Sequence, residues 1–96
     1  MIARALLLDD AFPLSLAAEL RARGRPAVHV REASLEAASD AHLGARSSDA
    51  TLVTTTPLAG GHVAIVVAGT DAGRREAVHR HAHEMAVQRA GVRRYR

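Results

Sequence analysis

One short run constrains this chain more than any other. Residues 5–8 read Ala-Leu-Leu-Leu, apolar without alternation, and the run stops at two adjacent carboxylates, Asp9 and Asp10. A strand that alternates can leave one face in water. A strand that is apolar throughout must be covered on both faces, which is the habit of central strands in parallel sheets flanked by helices. Leucine and alanine also suit a helix, so the flanks decide. Asp9-Asp10 ends the run and Pro13 opens a new pattern, so residues 2–8 are expected to form a strand that surfaces at the acids.

A helix is predicted from residue 13 to 23. Proline fits a first helical turn, where its missing N–H costs nothing. Phe12, Leu16 and Leu20 then recur at spacing four, with Ala17 beside them, and Gly24 supplies the usual stop. Further strands are expected at residues 27–30, 50–56 and 62–68, the third rich in β-branched threonine and valine. Ser39 is a reasonable N-cap for a short helix to residue 46. Thr70 or Asp71 can open a last helix that runs to about residue 90, and residues 92–96 offer one more short strand. The order β-α-β-α-β-β-α predicts a single α/β domain over residues 1–96, with a mostly parallel sheet of four or five strands. The link between the third and fourth strands is too short for a crossover helix. Either that loop returns the chain by itself, or the fourth strand runs antiparallel.

Composition excludes several classes. Cysteine is absent, so disulfides and thiolate metal sites are ruled out. No apolar stretch reaches the length of a membrane span. The amino terminus lacks a secretory pattern, and a cytoplasmic location is expected. Net charge is only +3, which permits contact with nucleic acid without requiring it. No lysine occurs anywhere. That excludes a phosphorelay receiver domain, which also opens with a strand ending in two acids but needs a later lysine.

Read in order, "LLLDDAFPLSLAAELRARG", "VHVRE", "ASDAHL" and "LVTTT" resemble the small PIN-like proteins. These are a compact group associated with the toxins of toxin–antitoxin pairs and related to the Mut7-C ribonuclease domain. The resemblance covers residues 2–58 and implies a three-layer α/β/α sandwich. It also implies RNA cleavage with Mg²⁺ or Mn²⁺ held by clustered acids, and a cognate antitoxin that occludes the site. By position, Asp9 matches the family's first acid, Asp10 the neighbouring glutamate and Asp40 the acid at the second helix. After "LVT" the family places acids where this chain has Thr56 and Leu58. Thr56 offers a neutral oxygen to a cation, and Leu58 offers nothing. The implied function is therefore a metal-dependent endoribonuclease with an incomplete acidic site. The alternative is a catalytically inactive PIN-like module that binds RNA or protein.

Each feature also has a plainer reading. Asp-Asp before a proline-initiated helix makes an ordinary turn, and acids favour a helix amino end. Glu76, His79 and His83 share a helix face at spacings that suit Zn²⁺, and equally suit a solvated face. His81 is expected nearer the apolar side. Arg93, Arg94 and Arg96 around Tyr95 suggest phosphate contact and base stacking, or simply an edge strand. Alanine-rich helix faces hint at homo-oligomers.

Overall fold

The structure, a computed structural model, describes residues 3–33, 50–57 and 61–96. Within them lie β1 (Ala5–Leu8), α1 (Leu14–Ala22), β2 (Ala27–His29), β3 (Ala50–Thr54), β4 (His62–Val66), α2 (Asp71–Val87) and β5 (Gly91–Tyr95). The strands form one sheet in the order β2-β1-β3-β4-β5, and every neighbouring pair is parallel. This is the expected α/β fold with a parallel five-stranded sheet. Asp40, Leu58 and the helix expected over residues 39–46 lie outside the described residues.

The fourth strand is parallel to the third, so the antiparallel alternative is corrected. Thr51 lies beside His62 and Thr54 beside Ile65. Residues 55–61 must therefore carry the chain back along β3 and across one strand spacing, roughly 10–15 Å. A segment of that length can span about 23 Å when extended, so no helix is needed for the return. Other boundaries also shift: β1 begins at Ala5, β3 ends at Thr54, β4 ends at Val66 and α2 ends at Val87.

Strand residues alternate between two buried faces. On the first, Leu6, Leu8, Val53, Ala64 and Val66 pack with Leu16, Ala17 and Leu20 of α1 and with Ala77, Val78, Ala82 and Met85 of α2. On the second, Leu7, Val30 and Leu52 form a separate cluster, and Val63 and Ile65 are equally buried. Burial on both faces is what the unbroken apolar run of β1 demanded. It is also the requirement of a three-layer arrangement.

Local chemistry sets the helix ends. Pro13 stands at the N-cap of α1, and Gly24 follows its end with φ of 77°, the left-handed value that favours glycine. At α2 the Thr70 hydroxyl accepts the Gly73 amide at 3.0 Å. A Cβ at Gly73 would stand 2.9 Å from that hydroxyl oxygen, so glycine lets the cap close. The last carbonyls of a helix need outside donors. Thr51 Oγ1 donates to the Met85 carbonyl at 2.7 Å, the Arg4 amide to Ala86 at 2.9 Å, and the Arg4 guanidinium to Gln88.

Candidate functional site at the carboxyl end of the sheet

The chain runs from β1 to β2 on one side, and the rest of the sheet lies on the other. The strand order therefore reverses between β1 and β3, and open α/β sheets bind ligands outside the carboxyl ends at such a point. Leu8 pairs with Val53, so the next residues on each strand, Asp9 and Thr54, meet. The Asp9 amide donates to the Val53 carbonyl at 3.1 Å. One carboxylate oxygen of Asp9 accepts the Ala11 amide at 2.9 Å and the other accepts the Thr54 hydroxyl. The threonine run thus contributes Thr54 rather than Thr56. Thr56 is exposed, and its amide donates to Thr54 Oγ1 at 3.1 Å.

Burial pushes the Asp9 carboxyl above the ordinary aspartate range. The hydrogen bonds from Thr54 and Ala11 pull the other way, and the charge on Asp10 adds to the rise. A carboxyl raised in the folded state makes folding stronger when protonated and weaker when ionised. Its destabilising contribution is absent below the unfolded-state pKa, develops as pH rises through the window up to the folded-state value, and is complete above it. Asp9→Asn keeps an acceptor for Ala11 and removes the charge. It should raise the melting temperature at neutral pH by a few degrees and flatten the pH dependence of stability in the acid range, a domain of this size shifting about 4–8 °C per kcal/mol. A lower melting temperature in the variant at pH 7 would mean that the ionised carboxylate stabilises the fold.

Asp10 takes the opposite course. Asp9 follows Leu7 on the second face, whereas Asp10 turns to a cleft of about 840 Å³ between the amino ends of α1 and α2. Phe12, Pro13, His29, Arg31, Arg74 and Arg75 also line this cleft. Asp10 pairs there with Arg31 at 3.1 Å, both side chains being exposed. Arg74 pairs with Asp71 at 2.9 Å, while its Nε–H is buried without a hydrogen-bond partner. Arg75 reaches Glu19 at 2.9 Å and Ser15 at 3.3 Å.

His29 forms the floor of the cleft and is 1% exposed. Its Nε2 lies 2.7 Å from the Phe12 carbonyl, and its Nδ1 lies 3.1 Å from the Arg31 amide. A carbonyl can only accept and an amide can only donate. The ring must therefore be neutral with its proton on Nε2. This side chain fixes the two walls of the cleft to each other.

The expected acid cluster is only partly assembled. Asp9 and Asp10 leave β1 toward opposite faces, and Asp40 lies outside the described residues. Among the described residues no group of three His, Asp or Glu side chains could hold a metal ion. The helical trio does not converge on one point. His79 hydrogen-bonds Glu19 at 2.9 Å, His83 approaches Arg25 at 3.5 Å, and Glu76 pairs with Arg80. Its members therefore face separate partners. The His79 bond, with Arg75 beside it, holds the Glu19 carboxyl below the ordinary glutamate range. Tyr95 is buried and donates its hydroxyl to Gln88 Oε1 at 2.7 Å, so it is not free to stack on a base. His81 packs against Tyr95 with ring centroids 5.2 Å apart, on the apolar side as expected.

No family model, no curated protein and no solved structure matches this chain.

Proposed function

We propose that this chain is a PIN-like RNA-binding module whose cleft receives the phosphate backbone and does not cleave it. The cleft carries the proposal. Arg31, Arg74 and Arg75 line it, the Arg74 Nε–H is an unused buried donor, and α1 opens there without a side-chain cap or an acid in its first turn. Helix amino ends and guanidinium groups are the donors that phosphate favours. The absence of turnover rests on the divergence of Asp9 and Asp10, since a two-metal mechanism needs acids gathered on one locus.

A second reading is the metal-dependent endoribonuclease of a toxin–antitoxin pair. One observation favours it: Asp9 is a partly buried carboxylate whose pKa burial raises, and such a group gains from a cation. A single experiment separates the readings. A labelled single-stranded RNA oligonucleotide is titrated with the protein at low salt, with and without Mn²⁺. The binding reading expects saturable binding, about tenfold weaker in Arg31→Glu and with a smaller salt slope, and intact RNA throughout. Saturable binding that Arg31→Glu leaves unchanged would move the interface away from the cleft. Cleavage that requires Mn²⁺ and disappears in Asp9→Asn would establish the nuclease. No binding and no cleavage would overturn both.

A further inference from the structure

The sheet has two edges, β2 and β5, and the protein treats them differently. In a parallel ladder alternate residues turn both their N–H and C=O toward the same neighbour. At β2 the inward groups are the Pro26 and Val30 positions, bonded to Leu6 and Leu8. The outward groups therefore include the Ala27 carbonyl and the His29 amide. Both are occupied by side chains. Arg21 Nη1 donates to Ala27 O at 2.8 Å, and Glu32 Oε1 accepts from the His29 amide at 3.0 Å. Arg21 and Glu32 then pair with each other through two contacts of 3.0 Å. Those two groups of the edge are closed by its own chain.

At β5 the Gly91 amide bonds inward to Gly61 at 2.7 Å, and the Tyr95 carbonyl accepts inward from Val67 at 2.9 Å. The residues between them that turn outward are Val92 and Arg94. Val92 is 49% exposed, and Arg94 is exposed. Among the described residues the Arg94 guanidinium has no ion-pair partner. Among the described residues no side chain is bonded to either outward backbone group. Beside the start of the strand lies a groove of about 440 Å³, lined by Val87, Arg89, Val92 and Arg93 among others. An uncovered edge strand is a template for pairing with another chain.

We propose that β5 is the docking edge for an extended, acidic segment of a partner protein, which adds a sixth strand to the sheet. Charge complementarity selects the occupant. Arg89, Arg94 and Arg96 are exposed along this edge, and Arg93, which lies over the Tyr95 ring at 5.4 Å, approaches Glu84 at 3.8 Å. Two copies of this strand would set arginine against arginine, so self-pairing is disfavoured. A strand with carboxylates at alternate positions would set them beside Arg94 and Arg96 on one face, and its apolar residues would lie on the opposite face, toward the groove that Val87 lines. Backbone hydrogen bonds would supply affinity and the alternate side chains specificity. This inference is independent of RNA binding, because the cleft lies at the other end of the sheet.

The test uses a short synthetic peptide alternating valine and glutamate, with its valine–lysine counterpart as control. The acidic peptide should bind and slow amide exchange at Val92 and Arg94, with β2 unaffected. Val92→Pro removes one outward N–H without touching the inward ladder, and should weaken binding about tenfold. Arg94→Glu, an exposed change, should weaken the acidic peptide and admit the basic one. Binding that ignores both substitutions, or protection elsewhere than β5, would overturn the proposal. So would no binding of the acidic peptide, or a dimer in sedimentation that Val92→Pro dissolves, the latter assigning the edge to a second copy.

Discussion

Replacing His29 by leucine should cost about 2–4 kcal/mol of stability, because it strands two backbone groups at once. The side chain is fully enclosed, and a leucine has comparable bulk, so the cavity contribution is small. The hydrogen-bonding loss is not small. The Phe12 carbonyl loses its donor at 2.7 Å and the Arg31 amide loses its acceptor at 3.1 Å. A buried group left without a partner costs about 1–3 kcal/mol, whereas the net worth of making such a bond is nearer 1. Urea unfolding should show a lower midpoint with an unchanged slope. His29→Gln can still donate to Phe12 and should recover part of the loss. The effect should reach the cleft as well, since Arg31 would no longer be tied to the turn after Phe12 and its pairing with Asp10 would loosen. A His29→Leu protein as stable as the parent would show that the imidazole does not clamp these walls.

His29 also marks the limit of what the sequence disclosed. The strand that carries it was legible from its flanks, Gly24 before and the charged turn after. The role of its ring was not, because Phe12 and Arg31 meet it only once β1 and β2 are paired. A local signal did exist. Glu32 stands three residues after His29 and takes its amide, the reciprocal half of a capping box, so "HVRE" announces a turn closed by its own glutamate. Asp9 was readable as a strand end, and the sheet order brings it to Thr54. The choice of Thr54 over Thr56 depended on register. Counting from Val53 opposite Leu8 places the facing threonine one step beyond the pair, and no sequence pattern states that register. Arg74 and Arg75 escaped notice because they sit among other charges on α2. Only the packing of α2 against α1, with Glu19 bridging to Arg75 and His79, turns them toward the cleft. The direction of β4 was undecidable from composition, because a loop that returns along so short a strand reads the same as a hairpin.

Gln88 should be the second position of large effect, and its expected behaviour is non-additive with Tyr95. The side chain is 6% exposed. Its Nε2 donates to the Val63 carbonyl at 3.0 Å and more weakly to Gly91 at 3.4 Å, and its Oε1 accepts the Tyr95 hydroxyl at 2.7 Å. One amide therefore ties the end of α2 to both β4 and β5. Gln88→Leu leaves the Tyr95 hydroxyl unpaired and takes from the Val63 carbonyl a donor additional to its ladder partner, and should cost about 1–3 kcal/mol. Tyr95→Phe alone leaves only the Gln88 oxygen short and should cost about 1 kcal/mol. In the double variant the tyrosine hydroxyl no longer needs a partner. The sum of the single losses should therefore exceed the loss in the double variant by about 1 kcal/mol, the signature of groups that share one network. Amide exchange should locate the damage. In Gln88→Leu, protection should fall first in β5 and stay high in β1, since β5 has only β4 on one side and this amide beneath it. Additive losses, or loosening that begins in β1, would mean that β5 is held by its ladder alone, and that Gln88 fills space without joining the elements.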